Sequence, residues 1–182
     1  MLYTRAGDNG TTRTFGCDQR ISKSSQVAEA LGTLDEVNSF LGLVKVKSRE
    51  GGFDLNGKKF GDMIDDCQNT LFIVQAEVAG AKKTVTEDKV KDIEMIIDSI
   101  EKSLPPIKTF FISGGTELVA MFDFARTLAR RAERRVVGVH DEVLVKVGEF
   151  TLAYLNRLSS LLYALARLTS HKSGIKEEAP RY

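Results

Sequence analysis

Apolar residues recur every three or four positions along most of this chain, which is the pattern of amphipathic α-helices. The pattern predicts helices over about residues 26–47, 58–81 and 142–170, another from about 86 to Leu104, and another that starts near Glu117. No segment keeps the two-residue alternation that is typical of a β-strand. Five long helices with short connections predict an all-α fold, an antiparallel five-helix bundle.

Several finer features of these helices are also predicted. Thr86, followed by two acidic residues, is expected to cap the third helix, and residues 48–57 are expected to form a linker. Gly32 is expected to mark a close approach by backbone or ligand, because an interior helical glycine costs about 1 kcal/mol relative to alanine. The last helix is expected to direct six leucines inward: Leu144, Leu152, Leu155, Leu158, Leu162 and Leu165.

Composition is that of an ordinary globular chain of 182 residues, which predicts a single domain over residues 1–182. The 26 lysines and arginines nearly balance 25 acidic residues, so charge argues against a nucleic-acid partner. No apolar run has the length of a signal or membrane-spanning segment, so we expect no membrane partner and a cytoplasmic protein. Cys17 and Cys67 form no CxxC pair and are expected to be separate, buried or half-buried thiols.

An arginine-rich segment, residues 126–135, is the strongest functional signal in the chain. At about 3.6 residues per turn, Arg126, Arg130 and Arg134 lie on one helical stripe, with Glu133 beside it. Like charges four residues apart repel, so this stripe costs stability unless an anion or partner carboxylates neutralise it. Because guanidinium groups bind phosphate oxygens bidentately, the segment predicts a polyphosphate site. The alternative is a solvated helix face, which ordinarily mixes charges of both signs.

The first 25 residues lack apolar periodicity and are predicted to form a loop that is ordered by itself or by a ligand. Residues 4–12 combine two glycines with three hydroxyl groups, and such backbone can approach a phosphate and form an anion nest. The spacing of a P-loop is absent, and an ordinary turn is the alternative interpretation. Lys23 lies nearby as a positive charge for a phosphate. At the other end, residues 173–182 are expected to be frayed or to act as a tail.

Polar residues also occur within two of the predicted helices. Asp35 and Asn38 share one face of the first helix, which makes Asp35 a candidate partner for the arginine stripe. Asn156 and Arg157 stand among the leucines of the last helix, where polar groups must find partners. Asn156 is expected either to contact a ligand hydroxyl or to bridge two helices.

Four motifs follow one another along the chain: T-x-x-G-D-x-G-x-T from Thr4, E-A-L-G-T-L-D-E-V-N from Glu29, R-T-L-A-R-R-A-E-R-R from Arg126 and Y-L-N-R-L-S from Tyr154. Together they resemble the ATP:corrinoid adenosyltransferases of the PduO type. Each motif alone is modest, whereas four in the same order make a strong match. The resemblance runs from the first motif to about Arg167, which is almost the full chain.

The resemblance implies a five-helix bundle that assembles as a homotrimer, with active sites between neighbouring subunits. It implies transfer of the 5′-deoxyadenosyl group of ATP to cob(I)alamin, which forms adenosylcobalamin and releases triphosphate. ATP is then a co-substrate, cob(I)alamin a substrate, and Mg²⁺ a cofactor held mainly by phosphate and water rather than by protein side chains. A reductase or an adenosylcobalamin-dependent enzyme is the implied further partner. The alternative function is a non-catalytic nucleotide sensor or corrinoid carrier on the same bundle.

The resemblance also assigns residues to the site. Asp35 and Arg126 correspond to a salt-bridged pair across the subunit boundary, and Arg130 joins them in the catalytic set. Phe110, by its spacing before Arg126, corresponds to an aromatic residue under the corrin ring, with Phe111 as the alternative. An apolar side chain there excludes an axial ligand and makes Co(II) easier to reduce. The implied ATP-binding residues are Thr4, Arg5, Ala6, Gly7, Thr12, Lys23, Arg130, Arg131, Ala132, Glu133, Arg134 and Asn156.

Two positions depart from the family pattern. The aspartate that usually follows Y-L-N-R-L-S is Ser160 here, and Ser24 and Ser25 replace an acidic residue often found just beyond the phosphate-contacting lysine. Neither departure lies in the arginine segment. We therefore expect them to affect the affinity for corrinoid or nucleotide and not the type of reaction.

Overall fold

Five α-helices make up most of the chain in a computed structural model, which describes residues 2–14 and 20–182. α1 packs against α2 and α4, and α5 packs against α4 and α3, so the helices form a bundle. This confirms the prediction of a mostly helical fold with five helices. Within the described ranges, no helix is both long and apolar enough to cross a membrane. The helices are α1 Gln26–Gly51, α2 Phe60–Val78, α3 Glu87–Ser103, α4 Glu117–Asp141 and α5 Glu149–Lys172.

Two short antiparallel ladders accompany the helices, although the sequence pattern predicts no strand. β1 (Thr11–Arg13) pairs with β2 (Arg20–Ser22) in the N-terminal segment. β3 (Asp54–Leu55) pairs with β4 (Lys58–Lys59) between α1 and α2. The Asn-Gly pair that joins β3 to β4 has φ angles of 51° and 85°, as a two-residue hairpin requires.

The ends of α1 and α3 differ in detail from the prediction. α1 continues to Gly51, so the expected linker over residues 48–57 contains the last helical turn and the start of the hairpin. Thr86 stands at the N-cap of α3, but its side chain makes no capping hydrogen bond. Gly32 has no neighbouring atom within 4 Å of where a Cβ would lie, so no backbone approaches it closely within the described chain.

The start of α5 depends on a residue from another helix. α5 begins at Glu149, later than predicted, and Leu144 is 50% exposed instead of pointing inward. The buried carboxylate of Glu77 on α2 accepts hydrogen bonds from the Gly148 amide at 2.8 Å and from the Thr151 hydroxyl. Helix N-termini leave amides without partners inside the helix, so Glu77 satisfies a donor that the local sequence leaves open.

The apolar faces of the helices meet in a core that supports α4 and α5. Phe60 and Phe122 are fully buried there, with ring centroids 6.3 Å apart in an edge-to-face arrangement. Cys67 is buried as expected, and burial raises the pKa of its thiol to about 12. Cys17 lies outside the described residues.

Candidate functional site

A large groove lies where α4 and α5 meet the segment between α3 and α4. Its volume is about 830 Å³. Its walls are the N-terminal half of α4, the C-terminal part of α5, residues 107–115 and residues 175–178. About half of the lining residues are aromatic or charged: Lys108, Phe110, Phe111, Asp123, Arg126, Arg130, Tyr163, Arg167, Lys176, Glu177 and Glu178.

The groove brings together three of the four residues expected to form the catalytic set. Phe110, Arg126 and Arg130 all line it, and the side chain of Phe110 is 81% exposed within it. Asp35 does not line the groove; it is exposed on α1. Ser160, which stands where the family usually has an aspartate, is a lining residue.

The arginine stripe on α4 has no carboxylate partner within its own described chain. Among residues 2–14 and 20–182, Arg126, Arg130 and Arg134 form no ion pair, whereas the two other arginines of the segment pair with Glu36 and Glu29 on α1. The Nε atom of Arg126 is buried and has no hydrogen-bond partner in that part of the chain. No ion pair within the described chain offsets the repulsion along the stripe, and the stripe is suited to an external anion.

In the groove, Arg126 has an aromatic ring, Tyr163, and an acidic residue, Asp123, as neighbours. Its guanidinium carbon is 5.9 Å from the centroid of the Tyr163 ring, within the range of a cation–π contact. Burial raises the pKa of Asp123, although the Gly114 amide, which donates to its Oδ2 at 3.0 Å, and the nearby Arg126 oppose this. Asp123 thus holds the Gly114-Gly115 pair, which precedes α4, and it lies close to Arg126 of the stripe.

Asn156 bridges two helices. Its Nδ2 donates to Glu133 Oε1 on α4 at 2.8 Å, and its Oδ1 accepts from Arg157 Nη1 at 2.6 Å. Arg157 Nε in turn donates to Glu94 Oε1 on α3 at 2.8 Å. A continuous polar chain therefore crosses α3, α5 and α4. It contains two of the residues that the resemblance assigns to ATP, and it supports the helix-bridging alternative for Asn156.

The N-terminal segment folds Lys23 back onto the glycine-containing turn. The Lys23 amide donates to the Gly10 carbonyl at 2.9 Å. A Cβ added to Gly7 would come within 3.2 Å of Lys23 Nζ, so a larger residue at this position would crowd the ammonium group. The lysine and the turn, which are predicted to contact phosphate together, are thus adjacent.

The other residues assigned to the N-terminal nucleotide site lie in the same turn and ladder. The Thr4 hydroxyl accepts a hydrogen bond from the Ala6 amide at 3.4 Å, and Thr12 lies in β1 opposite Ile21. Arg5 has a φ of 59°, an uncommon conformation for a residue with a side chain. On α4, Ala132 is buried, so it contributes packing rather than a polar contact.

Sequence reasoning missed several groove residues. Asp123, Tyr163 and Arg167 gave no separate signal, because each belongs to a helix whose periodicity is explained by its apolar neighbours. Glu177 falls in a segment expected to be a frayed end or tail. Arg167 stands within the apolar run of α5, and a buried arginine is uncommon without a partner. Its position was therefore the one sequence feature that indicated a buried ion pair. Among the described residues, no group of three or more His, Cys, Asp or Glu side chains is arranged to hold a metal ion.

The fold and the groove define a class of protein: a helical bundle with a binding groove that contains aromatic rings and two arginines, Arg126 and Arg130, without an ion pair among the described residues. A family model described as cobalamin adenosyltransferase matches residues 2–169, and the chain belongs to this family. It is 35% identical over 192 residues to the corrinoid adenosyltransferase PduO of Citrobacter freundii, covering 100% of this chain and 54% of that protein. The chain thus spans about half the length of the PduO relatives it matches.

Other relatives match along most of their length. The corrinoid adenosyltransferase of Bacillus subtilis is 38% identical over 178 residues, with 96% of this chain and 89% of that protein covered. A PduO-type ATP:corrinoid adenosyltransferase from Lactobacillus reuteri, solved as a phenylalanine-to-alanine variant with cobalamin and ATP, is 28% identical, with full coverage of both chains and a TM-score of 0.88. An arginine-to-lysine variant of that protein with ATP gives 27% identity and a TM-score of 0.86, with 99% of this chain and 100% of that one covered.

Proposed function

We propose that this chain transfers the 5′-deoxyadenosyl group of ATP to cob(I)alamin, forming adenosylcobalamin and triphosphate. The observation that carries the proposal is the placement of Phe110 beside the unpaired Arg126 and Arg130 in one groove of a family member. In the Lactobacillus reuteri protein, the substituted phenylalanine and arginine are separated by the same number of residues as Phe110 and Arg130. That spacing supports Phe110 rather than Phe111 as the residue beneath the corrin ring.

The reaction requires little proton transfer by protein side chains. The electron pair of Co(I) attacks C5′ of ATP, the cobalt–carbon bond forms as the C5′–oxygen bond breaks, and triphosphate departs with the bonding pair. The protein must align cobalt with C5′ and stabilise the charge on the leaving group. Arg130 and Arg134, which lack ionic partners in the described chain, together with Lys23 are suited to this charge.

Phe110 is proposed to act before the transfer, when Co(II) is reduced to Co(I) by an external one-electron donor, for which a reductase is the implied partner. A donor ligand below the ring stabilises Co(II) against reduction. An exposed phenyl ring in that position offers no lone pair and excludes water, so the four-coordinate ion is easier to reduce. The groove presents this ring 81% exposed, as contact with a ligand requires.

The nucleotide is proposed to bind through the twelve ATP-binding residues that the resemblance assigns: six lie in residues 1–25, five lie on α4 and Asn156 lies on α5. The position of Lys23 against Gly7 supports this site. Mg²⁺ is proposed to bind through triphosphate oxygens and water, because this hard cation prefers oxygen ligands and retains several waters. Asn156 and Glu133 are proposed to exchange part of their mutual hydrogen bond for contacts with the nucleotide.

The assembly is proposed to be a homotrimer in which Asp35 of one subunit pairs with Arg126 of the next. In the single chain Asp35 is exposed, and the buried Nε atom of Arg126 has no hydrogen-bond partner among the described residues. Large apolar side chains on α1, α2 and α4 are also more than half exposed, including Leu43, Phe72 and Phe124. A neighbouring subunit that covers these residues would bury the apolar surface and could give the Arg126 Nε atom a partner. We further propose one domain with a cytoplasmic location.

An anaerobic assay tests the proposed function. Protein, ATP, Mg²⁺ and chemically reduced cobalamin are mixed, and the loss of cob(I)alamin absorbance is followed against a control without protein. Protein-dependent loss that gives a light-sensitive cobalt–carbon product supports the transferase. If turnover is absent while ATP at about 100 times its Kd stabilises the fold by about 2.7 kcal/mol, the chain is a nucleotide sensor or corrinoid carrier instead.

A further inference from the structure

The segment that carries Phe110 has neither helix nor strand, and most of its residues are exposed. Phe110 itself makes too little contact with the core to hold its ring in place, since 81% of its side chain is exposed. The position of this ring must therefore be set by contacts made by its neighbours along the chain.

The guanidinium group of Arg167 on α5 makes two of those contacts. Its Nη2 donates to the Pro105 carbonyl at 3.1 Å, and its guanidinium carbon lies 5.4 Å from the centroid of the Phe111 ring. These contacts fall on both sides of Phe110 in sequence. The arginine is only 7% exposed, so its charge has little access to water.

Glu177 supplies the counter-charge. Arg167 Nε donates to its Oε1 at 2.7 Å and Nη2 to its Oε2 at 3.0 Å, a bidentate pair. A buried guanidinium without such a partner is strongly destabilising, so the C-terminal segment must stay in place for Arg167 to keep its orientation. Sequence spacing alone gave no indication of this pair.

The C-terminal segment also contacts the Phe110 segment directly. The Ile112 amide donates to the Glu178 carbonyl at 2.8 Å. The Ile175 side chain packs on Gly115 so closely that a Cβ there would lie 3.0 Å from it. Residues 175–178 and residues 107–115 are thus joined directly at two points, and they form one wall of the groove.

We propose that Arg167 and Glu177 form a clamp that positions the Phe110 segment, so that both are positioning residues for the corrinoid half of the reaction. This rests on the proposed function. The clamp holds the phenyl ring in the groove without itself touching the reacting atoms. Loss of the clamp should therefore impair the step that starts from Co(II) and leave nucleotide binding largely intact.

The test compares Glu177→Gln with Glu87→Gln, the same chemical change at an exposed residue of α3 that pairs with Lys91 and does not line the groove. We expect Glu177→Gln to lower the rate from Co(II) plus reductant by about 10- to 100-fold, since small misplacements can cost that much, with KM for ATP changed less than about twofold. The rate from pre-reduced cob(I)alamin should fall less, and Glu87→Gln should match the unmodified protein. Equal behaviour of the two variants would overturn the clamp.

Hydrogen exchange gives a second measurement that does not depend on activity. In Glu177→Gln the amides of residues 110–114 should exchange faster than in Glu87→Gln, while amides of α2 stay unchanged. If Glu177→Gln does not fold, Arg167→Lys keeps the charge but loses the bidentate geometry, and the same comparison applies to it. Failure of the unmodified protein to consume cob(I)alamin would refute the proposed function, whereas unchanged exchange in residues 110–114 would refute the clamp itself.

Discussion

The five arginines between residues 126 and 135 are chemically identical but have different surroundings. Two pair with glutamates on α1, while Arg126, Arg130 and Arg134 have no ionic partner within the described ranges. Residues four apart share one face of a helix, so the stripe lies on a different face from Arg131 and Arg135. Which arginines are neutralised depends on how α1 packs against α4, and that contact joins residues about a hundred positions apart.

Replacing Arg130 by alanine is expected to remove most of the turnover without unfolding the bundle. The side chain is exposed in the groove and supports no core packing, whereas loss of one charge-stabilising donor typically costs about 10²–10³ in kcat. The measurement is the anaerobic consumption of cob(I)alamin together with a thermal unfolding curve. Arg135→Ala, on the same helix but paired with Glu29, is the control and should keep most activity. Equal activity in both variants would exclude Arg130 from the phosphate site.

Replacing Phe110 by alanine is expected to impair reaction from Co(II) by at least about tenfold more than reaction from pre-reduced Co(I). The ring's proposed task is to exclude a ligand before reduction, and that task ends once Co(I) is formed. The two rates are measured with a chemical reductant in excess and with cobalamin reduced beforehand. Phe111→Ala is the comparison, because Phe111 packs against Arg167. If Phe110→Ala lowers the rates from Co(II) and from Co(I) equally, Phe110 contributes packing only.

Helices were predicted more reliably than their ends and connections. All five were predicted from apolar periodicity, because each buries one face against its neighbours. The β3–β4 hairpin was missed although its signal was present, since Asn56-Gly57 favours the two positive φ angles of a tight turn. The late start of α5 had no such local signal, because apolar residues such as Leu144 continue the helical pattern and the decisive partner, Glu77, comes from α2.

Replacing Glu77 by glutamine is expected to destabilise the fold by about 1–3 kcal/mol. The substitution removes a charged acceptor from the Gly148 amide and the Thr151 hydroxyl, and hydrogen bonds to charged groups are worth about that much. Urea unfolding measures the change in the free energy of unfolding. Glu87→Gln is the control, because Glu87 is exposed and pairs with Lys91 on the same helix. Similar values for the two variants would mean that the α5 start is held by other contacts.

At the scale of the whole molecule, a single chain leaves polar and apolar groups available to a neighbouring subunit. Within residues 2–14 and 20–182, Arg126 Nε has no hydrogen-bond partner, and Asp35, Leu43 and Phe124 are exposed. The proposed trimer would therefore serve function as well as stability, because it would bring a carboxylate to a groove arginine.

Asp35→Asn is expected to lower turnover by about tenfold while the secondary structure is kept. In the proposed trimer it removes the charge that faces Arg126, whereas in the isolated chain Asp35 is an exposed residue whose loss is nearly neutral. Activity is measured beside sedimentation equilibrium, in which the unmodified protein should have three times the 20.1 kDa mass of one chain. Asp98→Asn, an exposed change on α3, should be silent. A monomeric mass with unaltered activity in both variants would contradict the trimer.

The sequence by itself determined the helical bundle, the arginine stripe and the family resemblance, because periodicity and short motifs depend on residues close together in the chain. It also predicted Phe110, Arg126 and Arg130 as site residues, and these three line one groove. Only the tertiary structure decided which arginines lack an ion pair within the described ranges, where α5 begins, and that residues 175–178 form a wall of the groove. The physical reason is the same in each case. Those features depend on one partner for a charge or an amide, and that partner lies on a different element that no local spacing can specify.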